Sequence, residues 1–101
     1  MLTKDAVVAL LREQRSRLAE EFGVRRIGLF GSFARGQATD ASDIDLVVEF
    51  DTLIGLRFVD LVEDLERVFG RKVDLLTLAG VQSIRRREVG KAITADILYV
   101  Q

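Results

Sequence analysis

The sequence contains no cysteine and no histidine. The absence of cysteine excludes disulfides, thiolate zinc sites and cysteine nucleophiles. The absence of histidine excludes Ser–His–Asp triads, imidazole metal sites and histidine acid–base catalysis. The side chains left for catalysis are carboxylates, hydroxyls, lysine, arginine and a single tyrosine. Carboxylate oxygens are hard ligands, so any metal site in this chain should favour Mg²⁺ or Mn²⁺.

The chain also lacks a long apolar run and a strong net charge of either sign. A membrane-spanning helix needs about 18 consecutive apolar residues, and no such run is present, so we expect no membrane association. Residues 1–5 lack the apolar core of a signal peptide, which favours a cytoplasmic location. The net charge of −1 argues against direct nucleic-acid binding. A chain of 101 residues predicts a single domain spanning residues 1–101.

The hydrophobic pattern predicts helices alternating with strands. One helix is predicted from a cap at Thr3 to about Phe22, and a short helical turn from Ser32 to Gly36. A second long helix is predicted from a cap at Asp51 or Thr52 to Gly70, and a polar helix over 82–91. The predicted strands cover 25–30, 43–50, 72–77 and 96–100. This order fits a small α/β or α+β fold, with a mixed sheet of about four strands and helices on one face. The largely acidic face of the second strand should then border open space or a cleft.

Asp43 and Asp45 stand two residues apart in the most clearly alternating of these strands. Side chains at this spacing point the same way and lie about 6.5–7 Å apart. Carboxylates this close repel each other unless a cation lies between them. Asp74 points to the opposite face from its neighbours Val73 and Leu75. It can lie beside Asp43 and Asp45 if its strand is the neighbour of their strand. Such a trio can hold two metal ions about 3.5–4 Å apart, although an isolated D-x-D is more often a solvated strand face.

Gly31 and Ser32 stand at a predicted strand-to-helix turn, with ten residues between Ser32 and Asp43. A glycine there lets the backbone approach a phosphate closely, and the N–H groups that follow attract anions. Ser32 adds a hydroxyl donor, although an ordinary tight turn has the same residues. Arg35 could contact phosphate or pair with an acidic neighbour such as Asp40. Ser42 could orient Asp43, touch phosphate or be a plain loop serine.

Residues 24–50 resemble the minimal nucleotidyltransferase (MNT) domains of the DNA polymerase β-type nucleotidyltransferase superfamily. The resemblance lies in LFGSFARG at 29–36 and SDIDL at 42–46, and it extends to GRKVDLL at 70–76. It implies the nucleotidyltransferase fold and two-metal transfer of AMP from ATP. Asp43, Asp45 and Asp74 would be the catalytic metal ligands, and Gly31 and Ser32 would contact the triphosphate.

MNT proteins are often the antitoxin partner of a HEPN-domain toxin and can transfer AMP to a toxin tyrosine. The resemblance therefore implies a HEPN toxin partner, with a homodimer as another possible assembly. Two other functions stay open: an antitoxin that acts by binding alone, and an aminoglycoside-like nucleotidyltransferase acting on a small molecule. The intact trio of carboxylates favours an enzyme, since a protein that only binds has no need of it.

Overall fold

The computed structural model describes residues 2–52, 54–83 and 97–100. Helices and strands alternate along these ranges: α1 (Lys4–Phe22), β1 (Val24–Phe30), α2 (Gly31–Ala34), β2 (Ile44–Phe50), α3 (Arg57–Phe69), β3 (Val73–Thr77), α4 (Leu78–Ser83) and β4 (Leu98–Val100). The predicted polar helix over 82–91 falls mostly outside the described residues, as does the start of the predicted strand over 96–100. None of the helices in the described ranges has the length and apolar character needed to cross a membrane.

The four described strands form one mixed sheet in the order β3-β2-β1-β4. β1 runs antiparallel to both β2 and β4, whereas β2 and β3 are parallel. The predicted fold class, a small mixed sheet with helices, is confirmed. The order matters for function because it makes β2, with its acidic residues, the direct neighbour of both β1 and β3.

The main core lies between one sheet face and the helices α1 and α3. Its fully buried side chains include Val7, Leu11, Leu18, Ile27, Leu29, Leu46, Leu61 and Leu65. α1 begins where the Thr3 hydroxyl accepts a hydrogen bond from the Ala6 amide (3.2 Å), and it ends at Gly23 in a left-handed conformation (φ 67°). Both ends agree with the predicted cap and stop.

The predicted start of the third helix at Asp51 or Thr52 was wrong, since α3 begins at Arg57. The Asp51 amide donates a hydrogen bond to the Gly23 carbonyl (2.9 Å), which ties this segment to the end of α1. Gly55 then adopts a left-handed conformation (φ 55°) that an α-helix cannot contain. Capping chemistry was present at 51–52, but a tertiary contact and a turn delay the helix.

The sheet face opposite α1 and α3 was expected to be open and acidic, but part of it is covered by apolar side chains. Val47 is fully buried there in a small cluster with Phe30 and Leu78, and the ring of Tyr99 packs against it. Leu78 is the first residue of α4, a helix that the pattern did not predict, and it covers the face opposite α1 and α3. On this face of β2, Val47 is covered, whereas Asp45 and Glu49 on either side of it are half-buried.

Candidate active site

β2 and β3 place two of the predicted carboxylates side by side. Asp45 is the register partner of Asp74 in the parallel pair, so both side chains leave the same face of the sheet. The Ile44 amide donates to the Lys72 carbonyl (3.0 Å), which fixes this register at the strand ends. Asp43 directly precedes β2 instead of forming part of it. The condition on which the predicted trio depended, adjacency of the two strands, is therefore met.

The three carboxylates share one electrostatic environment. The pKa of Asp45 is raised above its ordinary value, first by burial and then by the negative charges of Asp74 and Asp43. The positive charge of Arg35 acts in the opposite direction on the same group. Asp74 itself is exposed, whereas Asp43 and Asp45 are half-buried. Because repulsion disfavours the ionised state of Asp45, a cation bound here would be stabilised by the same charges.

Gly31 lies directly against the Asp45 carboxylate. It is the first residue of α2, immediately after β1, and has a left-handed conformation (φ 73°). A Cβ at this position would stand 2.9 Å from Asp45 Cγ and would overlap its Oδ2 atom. The register explains the contact, since the residue before Gly31, Phe30, pairs with Asp45 across β1 and β2. Glycine is thus required by both conformation and space, and the predicted turn adjoins the predicted carboxylates.

Ser32 and Arg35 follow on the same short helix and its exit. Ser32 is half-buried and its carbonyl accepts a hydrogen bond from the Gln37 amide (2.8 Å). The Arg35 amide donates to the Gly31 carbonyl (3.2 Å), and its Nε donates to Gln37 Oε1 (3.2 Å). Phe33 is buried and fixes the helix to the core. The structure therefore places Gly31, Ser32 and Arg35 in one turn beside Asp45.

Ser42 has a structural role in the loop before Asp43. Its hydroxyl accepts a hydrogen bond from the Thr39 amide (2.8 Å), and its own amide donates to the Thr39 carbonyl (3.0 Å). These contacts close a tight turn over residues 39–42. Contact between Ser42 and a nucleotide stays a prediction.

Arg71 contacts the same loop and was not identified from the sequence. Its Nη1 atom donates to the backbone carbonyls of Thr39 (3.1 Å), Asp40 (3.3 Å) and Ser42 (2.9 Å). Its guanidinium also lies 5.5 Å from the centre of the Phe33 ring. Backbone carbonyls leave no trace in a sequence, so the only available signal was the position of Arg71 three residues before Asp74.

The donor chemistry of Asp43, Asp45 and Asp74 fits a hard divalent cation. Their oxygens are the preferred ligands of Mg²⁺, and their mutual repulsion, seen in the pKa of Asp45, would be relieved by a positive ion. With the side chains as they stand, however, no three acidic residues in the described ranges are arranged to hold a metal ion. Metal binding by this trio would require the side chains to turn towards one another.

Comparison with known proteins gives consistent matches. The family model described as "Nucleotidyltransferase domain" matches residues 11–96. The protein adenylyltransferase MntA of Thermococcus cleftensis is 37% identical over 101 residues, covering 99% of this chain and 98% of the relative. A candidate protein adenylyltransferase of Methanocaldococcus jannaschii is 41% identical over 103 residues, covering 99% and 100%.

Solved structures agree with these sequence matches. A candidate minimal nucleotidyltransferase superposes with a TM-score of 0.70 at 27% identity, covering 96% of this chain and 95% of the other. A toxin–antitoxin structure with AMP-PNP superposes with a TM-score of 0.56 at 27% identity, covering 85% and 69%. The resemblance found in the sequence is confirmed, and the chain belongs to the nucleotidyltransferase-domain family.

Proposed function

We propose that this protein is a metal-dependent adenylyltransferase that transfers AMP from ATP to a tyrosine hydroxyl of a HEPN-type toxin and so acts as an antitoxin. The observation that carries the proposal is the adjacency of Asp45 to both Asp74 and Gly31. This adjacency places a pair of carboxylates beside a turn that is suited to binding phosphate. Relatives that match nearly the whole chain support the protein acceptor, since one is a protein adenylyltransferase and another a candidate for that activity.

The proposed role of the turn is to hold the triphosphate. Gly31 has no side chain, so its backbone can approach phosphate oxygens closely. Ser32 would donate its hydroxyl and amide to the same oxygens. The toxin–antitoxin structure with AMP-PNP supports an adenine nucleotide as the bound substrate.

Asp43, Asp45 and Asp74 would hold Mg²⁺ or Mn²⁺, which when bound supplies positive charge to the phosphates and to the attacking oxygen. The acceptor oxygen attacks the α-phosphorus, the bond from that phosphorus to the bridging oxygen breaks, and pyrophosphate leaves. The acceptor proton passes to a carboxylate oxygen of Asp74. Asp74 is suited to this step because it is exposed and can return the proton to solvent.

A second candidate function is neutralisation of the toxin by binding alone. One observation favours it: the acidic side chains of the described residues, as placed, form no three-residue metal site. A small-molecule acceptor has no comparable observation in its favour.

The decisive experiment incubates the purified chain with ATP, Mg²⁺ and the HEPN-type protein encoded beside it, followed by intact mass spectrometry and a toxin assay. Adenylylation of a tyrosine with loss of toxicity is the expected result. Asp45→Asn should abolish the mass increment, and Glu13→Gln, which removes an exposed carboxylate from α1, serves as the matched control.

Two other results assign the protein differently. A neighbour that is neutralised without gaining mass, equally by the wild type and by Asp45→Asn, establishes the binding-only function. A neighbour that is neither bound nor modified removes the antitoxin role altogether.

A further inference from the structure

One side chain, Arg71, connects the three chain segments that carry the candidate active site. It lies in the segment just before β3, three residues ahead of Asp74. Through Nη1 it reaches the loop of residues 39–42, which leads directly into Asp43. Its guanidinium also lies 5.5 Å from the centre of the ring of Phe33, the residue that follows Ser32.

Among the described residues, one backbone–backbone hydrogen bond lies inside this loop, so its other carbonyls depend on contacts from outside it. Within the loop, the Thr39 carbonyl accepts from the Ser42 amide (3.0 Å). Arg71 adds a charged donor shared by three carbonyls, and hydrogen bonds from charged donors are stronger than neutral ones. Arg71 is half-buried, and its bond to the Ser42 carbonyl is partly shielded from water, whereas its bonds to the Thr39 and Asp40 carbonyls are exposed.

Arginine suits this place better than lysine. A planar guanidinium can lie against the Phe33 ring while its N–H groups face the carbonyls. A lysine ammonium carries the same charge on a flexible stem but lacks the planar surface. Arg71→Lys therefore keeps the charge and removes the geometry.

We propose that Arg71 is a positioning residue, which orders the loop of residues 39–42 against α2 and thereby sets Asp43 in place beside Asp45 and Asp74. The ordering of the loop is independent of the reaction. The consequence for catalysis rests on the proposed function.

The first test measures amide hydrogen exchange by NMR in the full chain for Arg71→Lys and Arg71→Met. The Thr39 and Ser42 amides, both bonded within the loop, should exchange about tenfold faster or more, because local opening becomes easier. Amides in the middle of α1 should not change. Arg12→Met, which replaces an exposed arginine of α1, is the control and should leave the loop amides unaffected.

The second test separates kcat from KM for ATP in the adenylyl-transfer assay. Misplacement of reacting groups by small distances lowers rate steeply, so Arg71→Lys should reduce kcat about tenfold while KM for ATP changes less than about threefold. A mainly structural role would lower the amount of folded enzyme and leave the kcat of the folded fraction unchanged.

The following results overturn the inference. Unchanged loop amides in Arg71→Lys and Arg71→Met show that Arg71 does not order the loop. Faster exchange across the whole chain, or faster loop exchange with normal kcat, shows a role in stability alone.

If the wild type transfers nothing, the proposed function fails by itself, and Mn²⁺ affinity replaces kcat as the readout. The inference then expects weakening of about tenfold, as for lost supports of metal ligands, and an unchanged affinity overturns it.

Discussion

The Asp45 carboxylate lies against the backbone of Gly31 at the end of β1. This contact leaves no room for a side chain at residue 31. The Asp45 carboxylate occupies the position where any Cβ at residue 31 would be built. The left-handed backbone of Gly31 (φ 73°) adds a second reason for glycine. Because Gly31 has no side chain, the candidate phosphate-binding turn can lie directly against Asp45, one of the candidate metal ligands.

Gly31→Ala should therefore destabilise the fold more than Gly55→Ala and should abolish transfer. A left-handed non-glycine residue alone costs about 1–2 kcal/mol, and the displaced carboxylate adds to this. Gly55→Ala is the matched control, because Gly55 is also left-handed (φ 55°) but a Cβ there meets no atom within 4 Å. Urea unfolding of both variants measures the difference. Equal losses of stability in the two variants would show that the overlap with Asp45 does not contribute to the destabilisation.

Asp45→Asn should stabilise the protein without metal at neutral pH while lowering transfer by about a hundredfold or more. Burial and the charges of Asp74 and Asp43 raise the pKa of Asp45 in the folded protein. A raised carboxyl pKa means that the folded state holds its proton more tightly than the unfolded chain, so ionisation destabilises the fold above that pKa. As pH falls from the raised pKa towards the ordinary value of 3.8, the wild type regains this stability and the advantage of Asn disappears.

Denaturant unfolding over a pH series tests this linkage, with Glu13→Gln as the control for loss of an exposed carboxylate. An Asn variant that is less stable than the wild type at neutral pH would contradict the repulsion. A variant that is folded and still transfers AMP normally would remove Asp45 from the site.

Residues recognisable by type and spacing were accessible from the sequence, whereas residues acting through the backbone were not. The alternation of β2 predicted that Asp43 and Asp45 point the same way, and the glycine turn was predicted to lie a short loop away. In the structure Gly31 lies against Asp45, and the negative charge of Asp43 acts on Asp45. Arg71 acts through carbonyls that every residue possesses, so no pattern of side chains marks its partners.

Among the helices, α1 and α3 are joined by an ion pair with two hydrogen bonds. Arg17 donates from Nη1 to Asp64 Oδ1 (3.1 Å) and from Nη2 to Asp64 Oδ2 (2.7 Å), and the hydrogen bond to Asp64 is the main reason that the pKa of Arg17 is raised. Glu21 accepts a further bond from the same guanidinium (3.1 Å). The pair holds the two helices of the main core in a fixed relation.

Arg17→Met should lower the free energy of unfolding by about 1 kcal/mol, the upper end for partly exposed pairs, and leave transfer unchanged. Methionine keeps a similar stem and helix propensity, so the loss reports the charged group. Arg12→Met on the exposed side of α1 should cost less than about 0.5 kcal/mol. A double-mutant cycle with Asp64→Asn isolates the pair, and a coupling energy near zero would refute its contribution.

The boundaries of the elements show where local pattern stops being sufficient. The alternation in β2 and the apolar face of α3 predicted both elements. The start of α3 could not be predicted, because the bond from the Asp51 amide to the Gly23 carbonyl joins residues far apart in sequence. The burial of Val47 likewise depends on Phe30 and Leu78, which meet it only after the sheet and α4 have formed.

For the whole molecule, strand order determines whether the site exists. The sequence placed carboxylates on two strands but could not make those strands neighbours, since register partners come from the tertiary fold. The order β3-β2-β1-β4 puts β2 between the strand that carries Asp74 and β1, the strand that directly precedes Gly31. The candidate site is thus shared by three adjacent strands of the sheet, and its ligands should stabilise the whole domain.

Nucleotide and metal together should therefore raise the melting temperature, and neither should do so alone. A ligand that binds only the folded state at about 100 times its Kd adds about 2.7 kcal/mol, which for a domain of this size corresponds to a shift of about 10 °C or more. AMP-PNP with Mg²⁺ is the probe, and EDTA should cancel the shift because the triphosphate is then opposed by three uncompensated carboxylates. Asp74→Asn should reduce the shift, whereas Glu13→Gln should retain it. A shift of equal size with EDTA would show that the nucleotide binds without metal, and it would place the triphosphate away from the Asp45–Asp74 pair.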